Sequence, residues 1–295
     1  MVFYLNAIRK KTTGSKTNGC VAYQGVPGAF SEIAAKMHFP EAEMANCSSF
    51  RDVFRMVETK SAAYGVVPVE NTTEGIVNEV YNLLLKSDVK ITGEEVVRVR
   101  HCLIANRGVA MRDVKEVYSH PQAIAQCREF LRKMDLPSHV ADNTAASVKM
   151  LKESGIMDAA AIASADAARI YDMEVLQSDI QDVKDNYTRF VMLGHDIQEA
   201  TGYDKTSIVM TLEHSPGSLV RALELFRKIN IIDLEKRPLA EKPFEYAFFI
   251  DLDGHISEER IGGPVKRLEE WATSMKVLGS YPKSPDFSKA QIGLE

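Results

Sequence analysis

The sequence lacks any long apolar run. No stretch approaches the roughly 18 consecutive apolar residues that a transmembrane helix needs. The first residues, MVFYLNAIRKKTTGSKTNG, begin apolar and then turn basic, which is the reverse of a secretory signal peptide. We therefore predict a cytoplasmic protein that makes no contact with a membrane. Residues 1–18 are predicted to form a disordered lead-in, and an organellar targeting role for this segment stays open.

The motifs of metal and nucleotide sites are also missing. The seven histidines are scattered without an HExxH pattern, and the four cysteines (Cys20, Cys47, Cys102 and Cys127) form no CxxC pair. Neither a GxGxxG turn after a strand nor a GxxxxGK[ST] loop is present. The sequence thus predicts no metal and no cofactor. Because a chain of this length does not need disulfides to be stable, reduced thiols are expected.

A basic excess is absent as well. The net charge of -5 at pH 7 argues against a nucleic-acid-binding surface. A composition of 45% hydrophobic and 26% charged residues is that of a globular protein, and 295 residues suffice for one large domain or two ordinary ones. A small anionic ligand is still compatible with this charge, because one local arginine outweighs a mildly acidic total.

From residue 21 onwards, short β-rich runs alternate with amphipathic helical patterns. This alternation predicts an α/β fold with mostly parallel sheets that are covered on both faces. Polar clusters follow four of the predicted strands, and these clusters read QGVPGAFS, VENTT, SHPQ and DNTAAS. Ligands of open α/β sheets bind at the carboxyl ends of the strands, so the four clusters are expected to outline one cleft.

The pattern changes after a polar segment near residues 196–205. The order that follows is β-α-β-β-α-β, which is typical of a ferredoxin-like domain. Its first helix is predicted in SPGSLVRALELFRKI, with Ser215 as N-cap and Pro216 at the first helical position, and its second in VKRLEEWATSM. The predicted organisation is a lead-in over residues 1–18, a two-lobed α/β domain over 19–196, a second domain over 204–282 and a tail over 283–295.

The stretch DNYTRF places a hydroxyl, a guanidinium and an aromatic ring side by side where a strand begins. The guanidinium fork of Arg189 suits a carboxylate, and the hydroxyl of Thr188 can donate to a leaving group. Glu70 follows the apolar run GVVPV, where apolar neighbours would perturb the proton affinity of a carboxylate. Each of these residues also has a structural interpretation, as a strand residue, a solvated arginine or a cap.

Seven motifs taken together resemble those of the prephenate dehydratase family, which includes the arogenate dehydratases. GVPGAFSE, VPVENTTEG, SHPQAIAQC, DNTAAS and NYTRFVML resemble its catalytic domain, and SPGSLV and LEKRPL resemble the phenylalanine-binding ACT domain that follows it. The resemblance runs from about Val21 to Tyr281. It implies that residues 19–196 form the catalytic domain and residues 204–282 the ACT regulatory domain.

The resemblance also implies a reaction and the residues that perform it. Members of the family convert prephenate into phenylpyruvate, with loss of water and carbon dioxide and without a cofactor, in L-phenylalanine biosynthesis. Thr188 is implied as the donor to the departing hydroxyl, and Glu70 is the better proton reservoir. The implied substrate-binding positions are Arg189, Phe190, Asn71, Thr72, Ser119, Gln126 and Thr144. The implied site for L-phenylalanine as feedback effector consists of Pro216, Gly217, Ser218, Leu219, Asn230, Ile231, Glu235 and Arg237.

Three alternatives stay open at this point. The segment GVPGAF, where many members read GPxGTF, is closer to the arogenate dehydratases, so arogenate is an alternative substrate. A two-lobed fold also serves sensors that bind a small molecule without chemistry. A cysteine hydrolase using Cys102 or Cys127 would need an ordered base and a third group, which the sequence does not supply. Because ACT domains of the family pair side by side, the resemblance implies a homodimer or homotetramer.

Overall fold

The computed structural model describes residues 19–239 and 242–284. The predicted lead-in over residues 1–18 lies outside the described residues, as does the predicted tail from residue 285 onwards. The chain divides into two compact units. Of the described residues, the first unit comprises 19–81 and 95–190, and the second comprises 82–94, 191–239 and 242–284.

Strands and helices alternate along the described chain, as the α/β prediction requires. The elements of the first half are β1 (Val21–Gln24), α1 (Phe30–His38), β2 (Met44–Cys47), α2 (Phe50–Glu58), β3 (Tyr64–Asn71), β4 (Gly75–Ile76), α3 (Asn78–Lys86), β5 (Lys90–Arg98), β6 (Cys102–Ala105), a 3-10 turn (Met111–Asp113), β7 (Glu116–Ser119), α4 (Pro121–Gln126) and α5 (Arg128–Met134). The second half contains β8 (Ser138–Val140), α6 (Thr144–Ser154), β9 (Ala159–Ala163), α7 (Ala165–Ile170), β10 (Glu174–Gln177), β11 (Tyr187–Gly194), β12 (Asp204–Thr211), α8 (Ser218–Leu225), β13 (Ile231–Leu239), β14 (Lys242–Asp253), α9 (Glu259–Glu269) and β15 (Ser274–Pro282). Within the described ranges, no helix is long and apolar enough to cross a membrane.

The first lobe of the first unit is built on the parallel strands β2, β1 and β3, in that order. Helix α2 packs on this sheet and begins after Ser49, whose Oγ accepts the backbone N–H of Asp52 at 3.1 Å. Such a cap is worth about 1 kcal/mol. The buried side chains of α2 are Val53, Phe54 and Val57, which recur at helical spacing. The sequence SSFRDVFRMVE predicts this helix from the same two features, Ser49 as N-cap and the apolar stripe, and the structure confirms both.

The second lobe of the first unit is a sheet with the order β10-β6-β9-β7-β8. All five residues of its central strand β9, which reads AAAIA, are buried. Alternate residues of this strand belong to two different apolar clusters, because successive side chains of a strand point to opposite faces. β9 runs parallel to β7 but antiparallel to β6. This sheet is therefore mixed rather than mostly parallel, a common arrangement in α/β proteins.

The second unit contains the β-α-β-β-α-β order that the sequence predicts. Its strands β13, β14, β12 and β15 lie side by side in antiparallel pairs. Both helices, α8 and α9, contribute to one apolar cluster with β12 and β14. The cluster includes Met210, Phe226 and Leu268, all fully buried. The helices thus share one face of this sheet, as in ferredoxin-like domains.

Three helix boundaries differ from the predicted ones. Helix α8 begins at Ser218 rather than at Pro216, and Gly217, not Ser215, is its N-cap. Gly217 has a φ of 83°, a left-handed conformation that breaks the helix before Ser218. The pattern PQAIAQCREFLRKM predicts one amphipathic helix, but the structure interrupts it at Cys127, between α4 and α5. Helix α9 begins at Glu259 and contains Pro264, so the Gly-Gly-Pro segment lies inside the helix rather than before it.

Candidate active site

Two of the predicted site residues meet where β3 ends and β11 begins. The backbone N–H of Thr72 donates to the Tyr187 carbonyl at 2.9 Å, and the Tyr187 N–H donates to Thr72 Oγ1 at 2.9 Å. These bonds bring the side chains of Asn71 and Thr188 together, although the two residues are 117 positions apart, and Asn71 Nδ2 lies 2.9 Å from Thr188 Oγ1. Both side chains are nearly buried, at 8% and 9% exposure.

The direction of the Asn71–Thr188 hydrogen bond is fixed by the backbone. The N–H groups of Thr73 and Glu74 both donate to Asn71 Oδ1, at 3.0 and 3.1 Å. Because only the amide oxygen can accept from an N–H group, the amide nitrogen faces Thr188. Thr188 Oγ1 therefore accepts from Asn71, and the Thr188 proton remains to be donated to another acceptor.

Gln126 and His101 extend this hydrogen-bonded system. Gln126 Nε2 lies 3.0 Å from Thr73 Oγ1, and Gln126 Oε1 is shared by Asn186 Nδ2 at 3.1 Å and His101 Nε2 at 2.9 Å. His101 is 2% exposed, and this burial lowers its pKa, while the hydrogen bond to Gln126 opposes the shift. Burial thus favours the neutral imidazole, and the orientation of the Gln126 amide, with Oε1 toward His101, fits the tautomer that carries its proton on Nε2.

Arg189 and Glu70 form a second contact between the same two strands. Arg189 Nε lies 3.3 Å from Glu70 Oε2. Since neighbouring residues of a strand point to opposite faces, this ion pair and the Asn71–Thr188 bond lie on different sides of the strands. The side chain of Glu70 is 43% exposed. The apolar surroundings predicted for its carboxylate are therefore absent, because β3 presents Glu70 to a guanidinium and to solvent.

The remaining predicted positions are mostly engaged by backbone groups. Ser119 is fully buried, and its hydroxyl donates to the Ile162 carbonyl at 2.7 Å. Thr144 is the first residue of α6, which is capped by Asn143 rather than by Thr144 itself. Phe190 is 2% exposed, which is the burial of a core residue. Ser119 can thus only accept a further hydrogen bond, and Thr144 lies at a helix N-terminus.

The segment GVPGAF joins the two lobes of the first unit. Ser164 Oγ donates to the Gly28 carbonyl at 2.8 Å, and a Cβ at Gly28 would lie only 2.7 Å from Ala167 Cα. Gly25 follows β1 in the first lobe, and Asn143 follows β8 in the second lobe. A Cβ at Gly25 would lie 3.9 Å from Asn143 Nδ2. The glycines therefore permit a close approach between the lobes, and the polar strand ends of both lobes meet inside the first unit.

Thr73, His101 and Asn186 belong to this system although the sequence did not single them out as site residues. Thr73 and Asn186 stand inside the quoted motifs VENTT and DNYTRF, so the only available signal was their position beside Thr72 and Thr188. The sequence suggests a thiol-imidazole pair at His101 and Cys102, but neighbouring residues of a strand point to opposite faces, so His101 is interpreted as structural. Their side chains become informative only when the two strand ends are brought together in space.

The cysteines show none of the chemistry of a hydrolase. All four are free thiols, and Cys102 and Cys127 are buried. Burial raises the pKa of both thiols, to well above the physiological range for Cys127. Since the thiolate is the nucleophile, neither cysteine is activated. The described residues therefore give no support to the cysteine hydrolase alternative.

The residues implied to bind phenylalanine lie on two consecutive elements of the second unit. Gly217, Ser218 and Leu219 surround the start of α8, and Ile231, Glu235 and Arg237 lie along β13. Asn230 precedes β13 and is exposed, while its carbonyl accepts the N–H of Asp253 at 2.9 Å. Pro216 comes directly before the Gly217 cap, outside the helix.

Comparisons with known proteins identify the family. The family model "Prephenate dehydratase" matches residues 21–198. The chain is 42% identical over 286 residues to the arogenate dehydratase/prephenate dehydratase 2 of Arabidopsis thaliana, and the match covers 92% of this chain and 75% of the relative. The crystal structure of the prephenate dehydratase of Arthrobacter aurescens in complex with L-Phe is 29% identical, with a TM-score of 0.82, and the match covers 93% of this chain and 97% of that chain. A structure described as GqqA, a novel type of quorum quenching acylase, is 28% identical with a TM-score of 0.83, and the match covers 90% of this chain and 98% of that chain. With its fold, its motifs and this family match, the chain belongs to the prephenate dehydratase family.

Proposed function

We propose that this chain catalyses the decarboxylating dehydration of prephenate to phenylpyruvate. The observation that carries the proposal is the Asn71–Thr188 hydrogen bond, in which Thr188 accepts and keeps its own proton for a substrate. Family membership and the relative named as a prephenate dehydratase support the same reaction. L-phenylalanine biosynthesis is the process that this reaction serves.

The chemistry requires a donor for one leaving hydroxyl. Prephenate is a cyclohexadiene, so loss of carbon dioxide supplies the electron pair that makes the ring aromatic as the ring hydroxyl departs. A positioned proton donor contributes about 10²- to 10⁴-fold to such a step. Thr188 is too weak an acid to be the ultimate proton source, and its role is that of an oriented donor whose direction Asn71 sets.

We assign Arg189 to an anionic group or to the wall of the cleft on the side of the strands away from Thr188, because its ion pair with Glu70 and the Asn71–Thr188 bond lie on different sides of the strands. Its side chain is nearly buried, and Glu70 lies 3.3 Å from its Nε. A guanidinium whose position is fixed by a carboxylate is pre-organised for a second anionic group. The role of proton reservoir, which the sequence suggested for Glu70, stays a prediction that a substitution can test.

The second unit is proposed to bind L-phenylalanine and to regulate the reaction. The β-α-β-β-α-β order, the SPGSLV and LEKRPL motifs and the relative crystallised with L-Phe support this role. A coupling of about 1–3 kcal/mol between the two sites, or about 5- to 150-fold in affinity, is the usual range. A homodimer or homotetramer and a cytoplasmic location, both predicted from the sequence, complete the proposal.

Arogenate is the second candidate substrate. The segment GVPGAF favours it, as does the relative named as both an arogenate and a prephenate dehydratase. Arogenate has an amino group where prephenate has a keto group, so the two substrates differ away from the ring hydroxyl that leaves. The proposed part of Thr188 is therefore the same for both.

The test supplies purified protein with prephenate and, separately, with arogenate. Phenylpyruvate is followed by its absorbance and phenylalanine by chromatography, and the two kcat/KM values are compared. We expect turnover of prephenate that falls when L-phenylalanine is added. Turnover of arogenate alone would reassign the substrate, and turnover of neither would refute the proposed function in favour of a binding role.

A further inference from the structure

Uncharged side chains of the first unit close a ring of hydrogen bonds, which we call the amide ring. Its members are Asn71, Thr73, Gln126 and Asn186. Thr73 Oγ1 donates to Asn71 Oδ1 at 2.7 Å, and Asn71 Nδ2 donates to Asn186 Oδ1 at 2.7 Å. Asn186 Nδ2 donates to Gln126 Oε1 at 3.1 Å, and Gln126 Nε2 donates to Thr73 Oγ1 at 3.0 Å. Within the ring each member donates once and accepts once, so every bond polarises the next. Outside the ring, Asn71 Nδ2 also lies within hydrogen-bond distance of the Tyr187 carbonyl, at 3.1 Å, and of Thr188 Oγ1, at 2.9 Å.

The ring has only one allowed sense. The backbone N–H groups of Thr73 and Glu74 occupy Asn71 Oδ1, which forces the amide nitrogen of Asn71 toward Asn186. Asn186 must then present its oxygen to Asn71 and its nitrogen to Gln126. The 2.9 Å contact between His101 Nε2 and Gln126 Oε1 fits that sense when His101 carries its proton on Nε2. Reversing any one amide would therefore place two donors or two acceptors against each other.

Asn186 is the member that joins two residues implied to bind substrate, Asn71 and Gln126. It is 1% exposed, so in this arrangement it does not reach a ligand itself. We propose that Asn186 is a positioning residue, which with the Thr73 side chain holds the Asn71 and Gln126 amides in place, while the backbone N–H groups of Thr73 and Glu74 set the sense that leaves the Thr188 proton free for substrate. This inference rests on the proposed function, since it concerns the same reaction.

The first test replaces Asn186 by leucine, which has a similar shape and no hydrogen-bonding groups. A positioning loss of this kind costs about 10²-fold in kcat, with KM changed by less than about threefold. The matched control is Asn106→Leu, because Asn106 is also a buried asparagine of the first unit but donates only to the carbonyls of Leu151 and Ile156, both at 2.9 Å. We expect Asn106→Leu to lower the melting temperature without lowering kcat.

A double-mutant cycle separates positioning from a merely structural role. If Asn186 acts through Gln126, then adding Asn186→Leu to Gln126→Leu should lower kcat by less than about threefold further, because coupled residues are not additive. Independent, multiplying losses in kcat would overturn the proposal. A folded Asn186→Leu protein whose kcat stays within about threefold of wild type would overturn it as well.

Thr73 supplies a second pair of variants in case Asn186→Leu does not fold. Thr73 is exposed, so Thr73→Val should leave the fold intact while it breaks two bonds of the ring. We expect Thr73→Val to lower kcat by about tenfold or more and Thr73→Ser, which keeps the hydroxyl, to recover most of that loss. Equal activity of Thr73→Val and wild type would overturn the positioning proposal alone. A wild-type protein that converts neither prephenate nor arogenate would overturn the proposed function and this inference together.

Discussion

Each of the two units contains a network of polar side chains, and the network around Lys205 in the second unit is charged whereas the amide ring of the first unit is neutral. In the second unit, Lys205 is fully buried, and its Nζ lies 2.9 Å from Glu94 Oε2 and 3.4 Å from Asp251 Oδ2. These residues lie on β12, β5 and β14, so the charges join three strands. In the first unit, the amide ring joins strand ends and a helix through neutral groups alone.

The difference follows from what each network can do. A buried charge is costly to desolvate and very costly to leave without a partner, so an ion cluster of this kind fixes an arrangement of strands. A ring of amides costs less to bury, and its fixed sense determines which group donates to which. Direction is what proton donation needs, so we assign chemistry to the neutral network and structure to the charged one.

The largest expected loss of stability concerns Lys205, in the charged network of the second unit. Lys205→Met leaves Glu94 and Asp251 buried without their shared cation, and we expect a loss of about 3–5 kcal/mol in the free energy of unfolding. Lys115→Met is the matched control, because Lys115 forms an ion pair with Asp158 on the surface. Chemical denaturation should show a large shift of the midpoint for the first variant and none for the second. Equal shifts of the midpoint would mean that the buried ion cluster contributes no more to stability than the surface ion pair.

The first unit, which contains the neutral amide ring, also depends on close packing between its two lobes at Gly28. Gly28→Ala adds a Cβ that would overlap Ala167 in a left-handed conformation with a φ of 91°, so we expect a loss of about 1–3 kcal/mol in the free energy of unfolding. Gly108→Ala is the control, since Gly108 has a φ of 86° but open space around its Cα. Because both glycines have a positive φ, the backbone strain is common to both variants. The difference between their unfolding free energies therefore gives the cost of the close contact with Ala167. Equal losses of unfolding free energy would show that the lobes can move apart at Gly28 to accommodate the added Cβ.

Glu70 sharpens the comparison, because it is a charged residue at the edge of the neutral network. Glu70→Gln removes the charge that faces Arg189, so we expect KM for prephenate to rise by about tenfold with little change in kcat. Steady-state kinetics separate the two parameters. A fall of about 10²-fold in kcat with an unchanged KM would instead restore Glu70 as the proton source.

The smallest expected effect is on the pH dependence of the unfolding free energy. Burial lowers the pKa of His101 in the folded protein, so the unfolded chain takes up a proton first as the pH falls below about 6.5. Stability is therefore lost as the pH falls through the unfolded pKa toward the folded one. Burial lowers the pKa of His120 in the same direction. His101→Gln should flatten the decline of the unfolding free energy between about pH 7 and 5, and a decline as steep as that of wild type would contradict this assignment.

Local patterns in the sequence predicted much of the fold but little of the site geometry. The alternation of strands and helices from residue 21 and the β-α-β-β-α-β order that follows residue 205 are periodic signals, and the structure confirms them. The start of α8 was wrong because Gly217 adopts a left-handed conformation that a sequence does not display. The partners of Thr188 were not predictable, since Asn71 lies 117 positions away and its orientation depends on backbone N–H groups.

The surroundings of Glu70 show the same limit. An apolar run before a carboxylate suggested an apolar environment, but the environment of a strand end depends on which strand lies beside it. Here the neighbour is β11, which places Arg189 at 3.3 Å. Contacts between distant strand ends are therefore the part of this site that the sequence did not supply.

The most direct measurement compares kcat for prephenate among wild type, Thr188→Ser and Thr188→Val. Serine keeps the hydroxyl that accepts from Asn71 and donates to substrate, whereas valine keeps only the shape. We predict that Thr188→Val lowers kcat by at least about 10²-fold with little change in KM, and that Thr188→Ser retains most of the activity. A Thr188→Val enzyme within about threefold of wild type would show that Thr188 is only a strand residue and would contradict the account.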